Sequence, residues 1–229
     1  MSRTVFPSRA WLRSPMLWSF AACVALFLLV PQLDLMASGL FWRAGDGFFL
    51  ADPLQPMHLG VRTFTMMLAG GLIGVFLVAI LVSASWPLRK GLIYLLLVLM
   101  VGPGLLVNAL FKDHWGRARP VQVQAFGGDK AFSPAWVVAG QCASNCSFSC
   151  GDASVGFALL APAFVLTSRR RLWLAIGVAA GGLLGIMRMA QGGHFLSDVV
   201  FSFFIVYFAA WLLHRLLYPG ASSDSLTTS

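Results

Sequence analysis

The sequence contains no glutamate, and its 229 residues include eight acidic side chains, all of them aspartate. Charged residues make up 10% of the chain, hydrophobic residues make up 59%, and the mean hydropathy is +0.81. A water-soluble domain of this length cannot bury so much apolar side chain, so the composition predicts an all-α membrane protein. In such a chain, the few polar groups retained next to apolar segments are candidates for function.

Six apolar segments predict six transmembrane helices, at residues 15–33, 63–86, 90–111, 153–167, 172–190 and 195–213. The first runs into Pro31-Gln32-Leu33-Asp34 without a small-residue cleavage site, so we expect it to be a retained span rather than a signal peptide. Residues 34–62 are expected to form a loop with an interfacial turn. Residues 1–218 are therefore predicted to form one six-span domain, followed by a disordered tail at 219–229.

The distribution of positive charge predicts the orientation. Six spans place the N-terminal segment, the turns at 87–90 and 169–171, and Arg215 on one side, which then carries nine of the sixteen Lys and Arg residues. Four of the other seven lie close to the candidate site described below. Because cytoplasmic loops are enriched in Lys and Arg, both termini are predicted to be cytoplasmic. The net charge of +8 is therefore read as a topology signal, and no nucleic-acid partner is expected.

The polar segment 112–150 is too rich in polar residues, Gly and Pro to cross lipid, so it is predicted to be an outer-face loop. It contains three of the four cysteines, Cys142, Cys146 and Cys150. Their spacing of four is compatible with metal ligation, but no fourth ligand lies near them in the sequence. On the oxidising side of the membrane a disulfide is more typical, and Cys142–Cys146 is the preferred pair, with Cys150 left free.

The junction of the last two apolar segments combines an arginine, two glycines, a histidine and an aspartate within residues 187–198. His194 and Asp198 are four residues apart, so on a helix they would share one face. A carboxylate bound to one imidazole nitrogen fixes the tautomer and leaves the other nitrogen free as a base or nucleophile. The alternative is a helix end that His194 and Asp198 only cap.

Two further polar stretches reach the same predicted face, at 112–120 and 148–154. With residues 188–198 they offer several fixed cations, a helix N-terminus and an oriented histidine. Cations and helix N-termini both stabilise phosphate, and they also stabilise the equatorial oxygens in the transition state of phosphoryl transfer. The three stretches together therefore predict a phosphate-transfer site.

The motifs K-x6-R-P at Lys112–Pro120 and R-x5-H-x3-D at Arg188–Asp198, with a glycine-centred turn at Gly151 between them, resemble the type 2 phosphatidic acid phosphatase superfamily. The resemblance covers the last three or four spans, and it implies six spans with the active site on the outer face. It also implies a hydrolase that needs no metal and no other cofactor.

The family's roles carry over to matching positions. Lys112, Arg119 and Arg188 would hold the phosphate oxygens, and Gly151 would add a backbone N–H. His194 would be the nucleophile that forms a phosphohistidine, with Asp198 orienting it.

The middle motif departs from the family. Its usual Pro-Ser-Gly-His is replaced by Ser149-Cys150-Gly151-Asp152. Cys150 would bind phosphate more weakly than serine does. Asp152 is expected to be a carboxyl group held protonated as the general acid, or else to bind a cationic or hydroxylated part of the substrate. His114 is a further candidate proton donor.

The loop sequences F-G-G-D-K, F-S-P-A-W and C-S-F look most like bacterial family members that act on lipid A phosphates. A lipid phosphate partner in the bacterial inner membrane is therefore expected, with the site facing the periplasm and no obligate protein partner. Polyprenyl diphosphate or phosphatidylglycerol phosphate remains an alternative substrate. The alternative from another class is an inactive lipid-binding or transport relative.

Overall fold

The computed structural model describes residues 14–219, which are mostly helical. The basic N-terminal segment up to residue 13 and nearly all of the expected tail lie outside the described residues. The elements are listed here in chain order: α1 (Pro15–Leu29), α2 (Gln32–Gly39), β1 (Trp42–Arg43), β2 (Gly47–Phe48), α3 (Gln55–Leu81), α4 (Trp86–Leu99), α5 (Lys112–His114), α6 (Gly151–Ala158), α7 (Pro162–Val165), α8 (Arg170–Ala190) and α9 (Leu196–Leu217). Short 3-10 turns lie at Pro120–Gln122, Gln124–Phe126 and Thr167–Arg169.

The prediction of an all-α membrane protein is confirmed in its main feature. Four helices among the described residues are long and apolar enough to cross a membrane, at Gln55–Leu81, Trp86–His114, Thr167–Ala190 and Leu196–Leu217. The bent pair α1 and α2 makes a fifth if it is counted as one span. The expected span at 153–167 corresponds to a shorter apolar unit, Gly151–Val165, so the count of six stays a prediction.

The expected boundaries near the N-terminus were wrong. The first helix ends at Leu29, and the chain then bends by 84° into α2 instead of continuing straight to residue 33. The expected loop 34–62 contains a small hairpin, in which Trp42 pairs with Phe48 and Arg43 with Gly47. α3 begins at Gln55 because Pro56 suits the first turn of a helix, where its missing N–H costs nothing.

α4 continues through a π-helix, Met100–Phe111, into α5. Pro103 lies inside this segment and cannot donate a backbone hydrogen bond. The side chain of Asn108 donates to the Pro103 carbonyl at 2.7 Å. The widened turn therefore keeps the helix continuous and places Lys112 at its end.

Close packing of α6 against α8 and α9 fixes the centre of the bundle. Gly156 faces Gly181, where any β-carbon on Gly156 would come within 2.6 Å of the opposing backbone. Gly177 similarly contacts the backbone of Leu160, which confirms that glycines of the expected fifth span permit close helix approach. In contrast, only 6% of the most apolar 18-residue stretch of α3 is buried inside the protein.

Candidate active site

His194 lies in the short connection between α8 and α9 and is only 2% exposed. Its Nδ1 lies 2.7 Å from the carbonyl oxygen of Ser147. A carbonyl oxygen can only accept, so Nδ1 carries the proton and Nε2 of the neutral ring has a free lone pair. Burial lowers the pKa of His194 to about 4, against the opposing effect of Asp198, and the charges of Lys112 and Arg119 lower it further. The imidazole is therefore neutral at pH 7 and competent as a nucleophile.

Asp198 lies next to His194, as the sequence predicts, but not because the two residues share a helix. His194 precedes α9, so the two residues share no helical face, and Asp198 Oδ2 lies 3.6 Å from His194 Nδ1. Its oxygens accept hydrogen bonds from Arg117 Nη1 at 2.6 Å, the Ser147 hydroxyl at 2.5 Å and the Phe195 N–H at 2.8 Å. Asp198 thus holds the two chain segments on either side of the histidine, and a main-chain carbonyl accepts the imidazole proton.

Arg117 is a fully buried residue whose structural role the sequence did not reveal. Its guanidinium donates to Asp34 at 2.7 Å, to Asp198 at 2.6 Å, to the Ser197 hydroxyl at 2.9 Å and to the Ser133 carbonyl at 2.9 Å. A buried guanidinium needs this many partners, because its desolvation is costly when any donor is unpaired. The network ties α2, the loop after α5 and the start of α9 together beneath the site.

Lys112, the first residue of α5, lies against Gly151, the first residue of α6. A β-carbon at Gly151 would lie 3.0 Å from Lys112 Nζ and 2.7 Å from Asn108 Oδ1, so glycine is what allows the close approach. Cys150 is the N-cap of α6, and the first N–H groups of a helix have no acceptor within the helix. A lysine ammonium and free N–H groups are both donors that can hold an anion.

Arg119 and Arg188 add two guanidinium groups. Burial lowers the pKa of Arg119, and the nearby charge of Arg188 lowers it further. Arg119 donates to the Asn145 carbonyl at 2.8 Å, and Arg188 donates to the Gln191 side chain at 2.6 Å. The terminal nitrogen of Arg188 also lies 2.7 Å from the position a β-carbon would take at Gly193, next to His194.

Cys150 is fully buried and is not part of a disulfide. Burial, and next the charge of Asp152, raises the pKa of the Cys150 thiol to about 12. It is therefore a neutral thiol and a weak hydrogen-bond donor. The disulfide joins Cys142 and Cys146, which confirms the preferred pair.

Asp152 has two basic neighbours, one of which the sequence analysis missed. Its Oδ2 lies 2.7 Å from Nδ1 of His58, in the first turns of α3, and 3.2 Å from Nε of Arg188. Both neighbours can carry positive charge, so Asp152 lies between two possible ion-pair partners. His58 is 94 residues away in sequence, in a segment expected to be a loop, so its spacing carried no signal. An isolated histidine beside an apolar span was the one available indication.

The other candidates lie elsewhere. His114 is exposed, and its Nδ1 lies 2.9 Å from the Leu110 carbonyl of its own helix. Within residues 14–219 there is no group of three or more His, Cys or Asp side chains placed to hold a metal ion.

The predicted residues thus converge from three distant segments. Lys112 contacts Gly151, the next residue Asp152 contacts Arg188, and Arg188 contacts Gly193 beside His194. The result is a cluster of basic side chains beside a neutral histidine, called the phosphate pocket below. Such an arrangement can bind a phosphate dianion and can present a nitrogen nucleophile to its phosphorus.

Known proteins share this pattern. The chain is 43% identical over 199 residues to the lipid A 4'-phosphatase of Francisella tularensis subsp. novicida (strain U112), covering 84% of this chain and 89% of that protein. It is 45% identical over 117 residues to the lipid A 4'-phosphatase of Rhizobium leguminosarum, covering half of each chain. No solved structure matches it. The sequence model of the PAP2 superfamily matches residues 91–220, which include all three motifs. The chain therefore belongs to the PAP2 superfamily, the family that its lysine, arginine and histidine motifs resemble.

Proposed function

We propose that the protein removes a phosphate group from lipid A through a phosphohistidine intermediate on His194. Family membership makes it a lipid phosphatase of the membrane. The observation that carries the mechanism is the buried, neutral His194, whose Nδ1 proton is held by the Ser147 carbonyl while Nε2 is free. The mechanism also requires positive groups that bind the phosphate oxygens, and basic side chains lie beside this histidine.

The phosphate dianion binds between Lys112, Arg119 and Arg188, with the first N–H groups of α6 at Gly151 and the thiol of Cys150 beside it. Charge-assisted hydrogen bonds of this kind are roughly twice as strong as neutral ones. Because the charge of the transferred group spreads over its three equatorial oxygens, fixed cations on those oxygens also lower the barrier.

His194 Nε2 then attacks phosphorus, and the bond from phosphorus to the sugar oxygen breaks. Asp198 keeps the imidazole in place through its hydrogen bonds with Ser147 and Phe195, and its Oδ2 also lies 3.6 Å from His194 Nδ1. Water next attacks the phosphohistidine, which releases inorganic phosphate and restores His194.

Lipid A is the favoured substrate because relatives from two genera with 43% and 45% identity carry the name lipid A 4'-phosphatase. We further propose that the protein crosses the bacterial inner membrane six times, with the site facing the periplasm. Polyprenyl diphosphate and phosphatidylglycerol phosphate are the competing substrates, and an inactive lipid-binding relative is the competing class.

Phosphate release by the purified full-length protein tests the proposal. Lipid A, polyprenyl diphosphate and phosphatidylglycerol phosphate are compared at equal concentration, and lipid A is expected to have the highest kcat/KM. His194→Ala is expected to be inactive, while His114→Gln, at an exposed position outside the pocket, keeps full activity. An acid-labile, base-stable phosphoenzyme is expected in wild type. Full activity of His194→Ala would end the phosphohistidine mechanism.

A further inference from the structure

We propose that His58 is the general acid that protonates the leaving oxygen, and that Asp152 is the carboxylate that orients it. The inference rests on the proposed phosphatase function. The middle motif of the family usually supplies a histidine for this step, and this chain has Asp152 at that position. The structure places an imidazole from a different helix beside that position, since His58 of α3 lies 2.7 Å from Asp152.

The geometry favours this pair as a proton-donating couple. An aspartate carboxylate can only accept, so His58 Nδ1 donates its proton to Asp152 Oδ2. The remaining nitrogen, Nε2, is then the one available to a ligand. The His58 side chain is 31% exposed and that of Asp152 is 18% exposed, so the couple lies at the edge of the pocket rather than in the packed core. A carboxylate that holds one imidazole nitrogen and stabilises the imidazolium is the arrangement used in proton-transferring triads.

The neighbouring charges agree with these roles. Arg188 of α8 lies 3.2 Å from Asp152 and borders the phosphate pocket through Gly193. Lys112, from the end of the preceding span, lies beyond Gly151 on the other side of Asp152. On α3 itself, Arg62 is exposed one turn after His58. Asp152 thus contacts both the imidazole of His58 and the guanidinium of Arg188, one of the cations proposed to bind phosphate, so a single carboxylate joins His58 to the proposed phosphate site.

Residues of this chain and water supply and accept every proton and electron pair in the reaction. When His194 Nε2 bonds to phosphorus, the P–O bond breaks, its electron pair stays on the sugar oxygen, and that oxygen takes the proton from His58 Nε2. In the second step the neutral His58 Nε2 takes a proton from water, and the water oxygen bonds to phosphorus. The P–N bond then breaks, its electron pair returns to His194, and inorganic phosphate leaves. His58 is again an imidazolium paired with ionised Asp152.

The test compares two substrates that differ in their need for a proton. Lipid A has a sugar hydroxyl as leaving group, which departs slowly unless it is protonated, whereas 4-nitrophenyl phosphate releases a stable phenolate. For His58→Gln, kcat/KM on lipid A is expected to fall about 10²- to 10⁴-fold, the usual contribution of a general acid. On 4-nitrophenyl phosphate it is expected to change less than about threefold, with one equivalent of nitrophenolate released in a burst as phosphoenzyme accumulates.

Asp152→Asn supplies a second variant in case His58→Gln folds poorly. The amide can still accept from Nδ1 but does not stabilise the imidazolium, so the alkaline limb of kcat/KM on lipid A is expected to move to lower pH. That limb is expected to be absent in His58→Gln. The double variant is expected to be no worse than His58→Gln alone, because both changes act on one proton transfer.

Controls distinguish the role proposed for His58 from the proposed phosphatase function on which it rests. His114→Gln makes the same exchange at an exposed histidine and is expected to match wild type on both substrates. A wild-type protein inactive on every phosphate tested would refute the phosphatase function itself. With wild type active, equal losses on both substrates for His58→Gln, or loss in Asp152→Asn with none in His58→Gln, would refute the role of His58 alone.

Discussion

Arg117 donates a hydrogen bond from Nη1 to Oδ1 of Asp198 at 2.6 Å, and both side chains are completely buried. The pair lies beneath the nucleophile, because the other oxygen of Asp198 binds the Ser147 hydroxyl and the Phe195 N–H. The position of His194 therefore depends on a guanidinium that has no part in binding phosphate.

Arg117→Lys is expected to destabilise the fold by about 3–5 kcal/mol, because an ammonium cannot satisfy Asp34 and Asp198 together and leaves buried charge uncompensated. Thermal unfolding in detergent measures the loss. Arg171→Lys, the same exchange at an exposed arginine, is the control and is expected to behave like wild type. An equally stable and active Arg117→Lys protein would show that the network does not hold the site.

Gly151→Ala is expected to lower kcat/KM about 10- to 100-fold, the effect of losing a charge-assisted contact. The added methyl group would lie 3.0 Å from Lys112 Nζ and 2.7 Å from Asn108 Oδ1, so the lysine must move out of the pocket. Gly182→Ala is the matched control, since among the described residues no atom lies within 4 Å of that β-carbon position. The prediction fails if both variants have the kcat/KM of wild type.

Because His194 is buried, its imidazole is expected to gain a proton only at a lower pH than an exposed histidine does. With a pKa lowered to about 4, the ring stays neutral as the pH falls from 7 to 5, and it gains a proton only as the pH approaches 4. The ¹⁵N spectrum of histidine-labelled protein, assigned by the signal missing in His194→Ala, is expected to show a neutral ring protonated on Nδ1 at pH 6. A His194 signal that titrates near pH 6.5, the ordinary value, would contradict this.

The Cys142–Cys146 disulfide closes a short loop, so its contribution to stability is expected to be about 2 kcal/mol or less. Serine at both positions is expected to lower the unfolding temperature modestly and to remove its response to reductant. The Cys146 N–H donates to the Lys112 carbonyl at 3.0 Å, so a rise in KM is also expected. Cys23→Ser, at a free cysteine, is the control, and it is expected to keep the response to reductant. No change in either quantity for the double-serine protein would count against a structural role for the bridge.

The sequence predicted which chain segments meet at the site, because their residues belong to short motifs with fixed spacing at the ends of apolar segments. Lys112, Gly151 and Arg188 lie together as the order of the spans implied. The partner of the His194 imidazole was predicted less well. The i,i+4 spacing pointed to Asp198, but His194 lies before the helix, and a carbonyl from a loop 47 residues away accepts its proton.

What the sequence did not reveal depends on tertiary contact alone. Asp34 and Arg117 are 83 residues apart, and His58 and Asp152 are 94 apart, so no local pattern joins them. The start of α3 at Gln55 was also missed. The hydropathy of the first two turns of this helix is too low to mark a span, although Pro56 is typical of a helix start. A lone acid at the end of an apolar run, as Asp34 is, was the available sign of a buried partner.

The acceptor of the His194 proton belongs to the peptide backbone, and every amino acid at position 147 would supply the same oxygen. A point mutation at this position therefore does not change which nitrogen of the nucleophile carries the proton. Where a side-chain carboxylate accepts that proton, a point mutation can remove the acceptor. A substitution at position 147 therefore keeps the acceptor of the His194 proton, and its cost comes from losing the hydroxyl that donates to Asp198.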